Sequence, residues 1–431
     1  MYKMKYFFSF LIAFLSLTTI AQTKLDSISN DSIKSKLKSP SLFSDKDLSI
    51  IDSLVLETQY KSPLSINIDY VIKGLEAKEN PTDKIPTTVL KERLKHLDNT
   101  TPFFIEYNPI LENVINSYLK YRKRYYPRLM AKAEYYFPMF EKYLDQFDIP
   151  LEMKYLAIVE STLDPRARSR VGARGLWQFM YLTGRQYKLN VNSYVDDRQD
   201  PIKATIAACK YLSDLYNIFG DWGLALAAYN SGPGNVSKAI KRSGGYRNYW
   251  NLRQYLPRET AGYVPAFYAT MYVFKYAKEH GLAAENPPIY HFATDTIQVK
   301  RTISFNQISE KTGVEIEMLE FLNPAYKLDI IPFVKGKNYA VTLPRNATVK
   351  FLAKEKEIYT QADIDDAKRE KPLPKYLELN RRIRYKVRSG DYLGRIAKKY
   401  GVRVSQIKKW NKLKSSSLKI GQRLTIFPRR L

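Results

Sequence analysis

One carboxylate stands out by its position. Glu160, followed at once by Ser161, closes an apolar helical run in the stretch from Pro150 to Met180, and a glycine-punctuated segment from Gly172 to Gln178 follows it. Near a helix C-terminus the macrodipole disfavours a negative charge, and apolar neighbours desolvate it, so both effects raise the pKa of such a carboxyl. A carboxylic acid still protonated near neutral pH can donate a proton to a glycosidic oxygen. Taken alone, Glu160 fits better an ordinary exposed glutamate in a last helical turn, since surface glutamates are common. Asp164, Asp196, Asp197 and Asp200 are further acids, but nothing in their spacing assigns one a catalytic role. Three isolated histidines give no metal site, and no cofactor is expected. The lone cysteine, Cys209, lies in an apolar helical run and reads as a buried, inert thiol.

The elements that must position Glu160 follow from local pattern. Leu151, Tyr155, Ile158 and Val159 recur at helical spacing, with Asp148 as the expected N-cap and Pro150 in the first turn. Pro165 stops the helix soon after Asp164. Val114, Tyr118, Tyr121 and Tyr125 follow helical spacing upstream, as do Tyr136, Phe140, Tyr143 and Phe147. Downstream, helices are expected over Thr205–Phe219, over Trp222–Tyr229 behind the cap Asp221, over Asn235–Ser243 and over Thr260–His280, with Pro265 a kink point.

Residues 1–21 read as a signal peptide, with Lys3 and Lys5 ahead of an apolar stretch too short for a comfortable membrane span. This reading places the protein outside the cytoplasm, in the periplasm or cell envelope. Residues 22–100 are expected as a tether and lead-in helices, 101–285 as a helical domain and 296–343 as a degenerate small module. A charged linker over 344–380 and a second small module over 381–428 complete the chain. Both small modules begin and end with strand-like runs around helical middles, a divergent internal repeat. The net charge of +27 is concentrated at the end: the last 51 residues carry seventeen Lys/Arg against one acid, Asp391. A tail that basic suits an anionic polymer or surface.

Four blocks occur in order: Glu160-Ser161, Gly175-Leu-Trp-Gln178, Ala228-Tyr-Asn230, and Glu259-Thr260 with Tyr263-Val264. In these the chain resembles the lytic transglycosylases of bacterial cell walls, in particular the membrane-bound transglycosylase D group. The resemblance implies a mainly α fold, with a lysozyme-like helical catalytic domain followed by small α+β (βααβ) LysM modules. It implies Glu160 as the single catalytic acid and base, with Ser169, Gln178, Met180, Tyr229, Asn230, Glu259 and Tyr263 lining the cleft. Gln178 and Asn230 offer paired donors and acceptors for acetamido and hydroxyl groups. Tyr229 and Tyr263 offer ring faces and hydroxyls, while core packing is the alternative for Tyr263. Trp177 reads as structural; it and Ala261 stand where many family members carry Met and Arg.

The last module resembles LysM through Tyr385-Lys-Val387, Ser389-Gly-Asp391, Tyr400-Gly-Val402, Trp410-Asn411 and Gly421-Gln422. The resemblance implies binding of N-acetylglucosamine-containing chains between two loops, with Gly390, Asp391, Tyr392, Leu393, Leu413 and Ile420 in contact. The module at 296–343 has Arg301-Thr302-Ile303-Ser304 where a Gly-Asp turn belongs, so its sugar binding is in doubt. The partner is then peptidoglycan, and the reaction is cleavage of the MurNAc–GlcNAc β-1,4 bond to a 1,6-anhydro end. A hydrolytic muramidase using one of the aspartates is the alternative enzyme. A non-catalytic wall-binding scaffold is the alternative of another class, and Glu160 speaks against it. Nucleic-acid binding has only the charge in its favour.

Overall fold

The computed structural model describes residues 84–369, 373–378 and 383–427. The expected signal peptide and tether lie outside the described residues, and no described helix is long and apolar enough to cross a membrane.

The helical part opens earlier than residue 101. Helix α1 (Thr87–Thr100) buries Leu90, Leu94 and Leu97 in one core with residues as far along the chain as Leu282 and Leu322. In α2 (Pro109–Arg122) the Asn108 side chain accepts the Leu111 N–H at 2.9 Å, and Pro109 takes the first position, where a missing N–H costs nothing. A 3₁₀ turn at Lys123–Tyr125 breaks the spacing there, so Val114 and Tyr118 are buried while Tyr121 and Tyr125 lie exposed. Helix α3 (Tyr126–Gln146) buries Tyr136, Phe140 and Leu144.

The helix bearing Glu160 starts differently from the expected form. Asp148 takes the left-handed conformation at φ 53° and caps nothing. The chain instead leaves Pro150 through a 3₁₀ turn at Leu151–Met153 before α4 (Lys154–Ser161). Thr162, also left-handed, ends α4. After the short α5 (Tyr181–Gln186), helix α6 (Pro201–Phe219) is capped by Asp200 and closed by the left-handed Gly220. Asp221 caps α7 (Trp222–Ser231) as its sequence implies, accepting the Leu224 N–H at 2.7 Å. Leu224 to Ala228 are wholly buried on every face, the mark of a central helix. Helices α8 (Pro233–Arg242) and α9 (Tyr249–Leu252) follow.

Helix α10 (Arg258–Lys275) carries Pro265 in its interior. The proline has no N–H for the Ala261 carbonyl four residues back. Two side chains replace it: Arg253 Nε donates at 2.8 Å and the Tyr249 hydroxyl at 2.9 Å. The kink point is therefore satisfied and buried, next to Tyr263.

In the first small module β1 (Thr294–Gln298) pairs antiparallel with β4 (Ala340–Pro344), and β2 (Ile303–Ser304) with β3 (Ile330–Ile331). Between them lie α11 (Phe305–Thr312), opened by a Ser304/Gln307 capping box, and α12 (Ile316–Leu322). The expected linker is not one. It forms α13 (Arg345–Ala353) and α14 (Glu355–Lys368), whose Phe351, Ile358 and Ala362 join the module's core. Their charges occupy the other helix faces, as in the Arg301–Asp363 ion pair.

The second module has the expected βααβ order: β5 (Ile383–Lys386), α15 (Leu393–Lys399), α16 (Val404–Trp410) and β6 (Arg423–Ile426), with β5 and β6 antiparallel. It has a core of its own around Val387, Ile396, Ile407 and Leu424.

Candidate active site

Glu160 sits in the last turn of α4 and is only 9% exposed. The Tyr263 hydroxyl, reaching over from α10, donates to its Oε1. Burial is the main cause that pushes the Glu160 carboxyl up to about 8; the Tyr263 hydrogen bond works against that shift and the charge of Glu259 adds to it. Tyr263 is fully buried, and burial together with the nearby Glu160 charge holds its phenol well above the usual tyrosine range, so it keeps its proton. Tyr229 feels the same charge. Glu160, Tyr229, Glu259 and Tyr263, drawn from α4, α7 and α10, thus share one electrostatic environment.

The loop from Leu163 to Met180 is bound to this site by its backbone. The Ser161 hydroxyl lies 2.9 Å from both the Ala157 and the Leu176 carbonyls, tying the residue after the acid to the glycine-punctuated segment. The Tyr229 hydroxyl donates to the Trp177 carbonyl at 2.8 Å. Trp177 is fully buried against Phe140, and its indole N–H donates to Thr205 Oγ1 at 2.9 Å, a structural role as its sequence position suggests. Gln178 is held at φ 46° and donates from Nε2 to the Gly175 carbonyl at 2.8 Å. Met180, half-buried, caps α5. Asn230 accepts from the Thr260 hydroxyl at 2.8 Å, joining α7 to α10.

Ser169 departs from its expected place in the cleft wall. It is 2% exposed, and its Oγ accepts the Ala173 N–H at 2.9 Å. Its contact is with the loop.

Three of the four aspartates are engaged elsewhere, while the exposed Asp164 accepts the Arg166 N–H at 2.9 Å. Asp196 is buried against Arg198, whose guanidinium holds its carboxyl below the usual range against the opposing effect of burial. Asp197 pairs with Lys203 at 2.7 Å, and Asp200 caps α6. Arg198 is a residue that sequence reasoning missed. From Asp196 it reaches the Gly172 carbonyl at 2.9 Å and the Phe179 carbonyl at 3.3 Å, clamping both ends of the segment before Met180. Its only sequence signal is two adjacent acids beside an arginine. Gly175 packs on this clamp at φ 82°, and a Cβ there would lie 1.9 Å from the Arg198 carbonyl oxygen. Gly175→Ala is therefore expected to cost on the order of 3 kcal/mol of stability, from left-handed strain plus overpacking. Urea denaturation measures it, and a loss below about 0.5 kcal/mol would contradict the clamp.

The first small module braces the same loop. Arg166 pairs with Glu320 at 2.6 Å and Asp329 at 2.9 Å. The Asp196 N–H donates to the Ala325 carbonyl at 3.0 Å, and Asn192 Nδ2 donates to the Tyr339 hydroxyl at 3.1 Å. Phe321 packs on Tyr135 and Tyr136 of α3.

In the second module Asp391 is occupied, accepting from the Tyr385 hydroxyl at 2.7 Å and the Arg388 N–H at 2.8 Å. Both bonds fall on its Oδ2, whereas Leu393 is buried in the module core and does not present its side chain to a sugar. Gly390 turns the loop at φ 81°, Leu413 packs partly on the core, and Tyr392 and Ile420 stand well exposed.

Comparisons with known proteins show what the chain is similar to. The transglycosylase SLT domain family matches residues 138–251, the LysM-like domain of the lytic transglycosylase MltD matches 293–360, and the LysM domain matches 385–427. The membrane-bound lytic murein transglycosylase D of Escherichia coli strain K12 is 33% identical over 310 residues, 70% of this chain and 66% of that protein. The chain belongs to the lytic transglycosylases. The membrane-bound lytic murein transglycosylase F of Pseudoalteromonas translucida is 34% identical over 134 residues, 28% of this chain and 27% of its own length. Among solved structures, the 70 kDa soluble lytic transglycosylase SLT70 of Escherichia coli aligns over 57% of this chain and 46% of its own, at 20% identity and a TM-score of 0.30. In this transglycosylase the SLT match begins inside α3, whereas the helical core that holds α4 begins at α1.

Proposed function

We propose that the chain cleaves the MurNAc–GlcNAc β-1,4 bond of peptidoglycan without adding water, leaving a 1,6-anhydroMurNAc end. The observation that carries this reading is a buried glutamic acid whose carboxyl is pushed up to about 8, with Asp196 and Asp197 committed to ion pairs and Asp200 to a helix cap. Glu160 protonates the leaving oxygen and, as carboxylate, then takes the proton from the MurNAc C6 hydroxyl. That hydroxyl attacks C1 and closes the ring. An intramolecular nucleophile needs no second carboxylate to activate water. Glu259 is close enough to raise the acid's pKa, and its part is to keep Glu160 protonated. Gln178, Met180, Tyr229 and Asn230 would line the cleft beside it, with Ser169 shaping the loop. Mass spectrometry of the products from purified sacculi decides between this and hydrolysis, since the anhydro product is lighter by one water.

Tyr263 tests the same centre. Tyr263→Phe is expected to lower kcat roughly 10- to 100-fold, the worth of a hydrogen bond to a charged group. Because that bond holds the Glu160 pKa down, its loss moves the alkaline limb of the pH–rate profile upward. An unchanged kcat and limb, with only a lower Tm, would assign Tyr263 to packing.

Wall attachment is assigned to the second module, through Tyr392, Leu413 and Ile420 around the Gly390 turn. The protein acts outside the cytoplasm, where its polymer is.

A further inference from the structure

The amide of Gln178 is half committed before any ligand arrives. Its Nε2 donates to two backbone carbonyls, that of Gly175 at 2.8 Å and that of Ala167 at 3.3 Å. Two carbonyls on one side fix which end of the amide points there, because an amide oxygen could accept from neither. Both N–H groups are thereby spent, and Oε1 is the end left to accept from a sugar hydroxyl or an acetamido N–H.

The Ala167 carbonyl is the pivot of this arrangement. It also accepts the Gly175 N–H at 3.0 Å, so one oxygen sets both the glycine turn and the pose of the glutamine. The neighbouring residue, Arg166, is anchored from outside the helical domain. Its Nη1 donates to Glu320 of α12 at 2.6 Å, and its Nη2 to Asp329 at 2.9 Å and to the Tyr326 carbonyl at 3.2 Å. Its backbone N–H is tied to Asp164 at 2.9 Å. Three bonds from one planar guanidinium restrict both its rotation and its translation. We propose that Arg166 is a positioning residue for glycan binding: the first small module, through Glu320 and Asp329, holds the Ala167 carbonyl where it aims Gln178 Oε1 at the sugar. The inference rests on the reading that Gln178 lines the cleft. It gives the module a part in substrate binding that needs no sugar contact of its own. Glu160 takes its hydrogen bond from Tyr263 of α10, outside this relay. A contact made equally in the bound substrate and in the transition state alters KM and leaves kcat.

Arg166→Ala is therefore expected to raise KM on short soluble glycan fragments about tenfold, the order of one charge-assisted hydrogen bond, with kcat and the alkaline limb of the pH profile unchanged. Glu320→Gln/Asp329→Asn, which alters only the module, should raise KM by a similar factor. Adding Arg166→Ala to that pair should change little further, since the groups act as one contact. On a Gln178→Ala background, whose KM is already raised, Arg166→Ala should add nothing. A lower Tm with KM unchanged would make Arg166 a purely structural link and overturn the proposal. A further rise in KM on the Gln178→Ala background, or a fall in kcat with KM unchanged, would overturn it too. Calorimetric dissociation constants of the same fragments, measured in the Glu160→Gln form of each variant, give the comparison without turnover. A hydrolysed product would accordingly refute the reaction and leave the relay standing, whereas equal dissociation constants with and without Arg166 would refute the relay alone.

Discussion

Glu160→Gln is expected to lower turnover on peptidoglycan by at least roughly 10²–10⁴-fold, because in the proposed reaction one residue supplies both the acid and the base. The fold should survive, since glutamine keeps the shape and still accepts from Tyr263. It should in fact be more stable in alkali. Burial raises the Glu160 carboxyl from 4.5 to about 8, so the folded chain keeps a proton that the unfolded chain releases. Stability from this group is therefore complete below about pH 4.5, falls as pH rises toward 8 and is gone above it. The glutamine variant escapes that loss. Its unfolding free energy should match the wild type at pH 4 and exceed it at pH 9 by a margin on the order of a few kcal/mol, with Tm shifting in the same sense. The wild-type rate should decline on an alkaline limb near pH 8. Near-wild-type turnover in the variant would refute the assignment of the acid, whereas a Tm gap independent of pH would refute only the protonation argument.

Deleting residues 381–431 is expected to lower activity on whole sacculi strongly while cleavage of short soluble fragments stays nearly intact. The second module has its own core, and a described contact with the helical domain is Arg185 over the Phe427 ring at 5.1 Å, so its removal exposes little. Its contribution is tethering, which raises local concentration to about the millimolar range and avidity by roughly 10²–10⁴. The deleted stretch carries sixteen excess positive charges. Part of the wall binding should accordingly fade at high salt, where exposed charges are screened within a few ångströms. Rates of both proteins on both substrates, at low and high salt, separate these effects. An equal fall on fragments and sacculi would show that the module supports the catalytic fold.

Much of the site was legible because its signals are local. An acid closing an apolar helix, the Asp221 cap and the βααβ order of the last module each occupy a few dozen residues of continuous pattern. The errors share a different cause. Asp148 has the identity of a cap, but the chain is in a left-handed turn there, which side-chain type alone does not reveal. The stretch after Leu343 has the average charge and proline content of a linker. Helix α14 nevertheless buries Ile358 and Ala362 in the module's core, two positions that its weak periodicity does not mark. Arg166, Arg198 and Asn192 were invisible for a third reason. Their partners lie far along the chain or on backbone carbonyls, and no periodicity announces such pairs.

That last group has a bearing on the order in which the molecule matures. The loop between Glu160 and Gln178 and the strand-like turn after it are secured by partners 135 to 184 residues downstream, among them Glu320, Lys327 and the 373–378 segment. Loop-closure entropy grows only slowly with such distances, but long-range pairing slows the search for the native state. Helices α1 to α10 can bury Glu160 early, from sequence that is nearly contiguous. The loop beside it is pinned only once the chain through about residue 378 has folded onto it. Burial of the acid therefore rests on contacts near in sequence, whereas fixing the loop beside it rests on contacts with the chain through about residue 378.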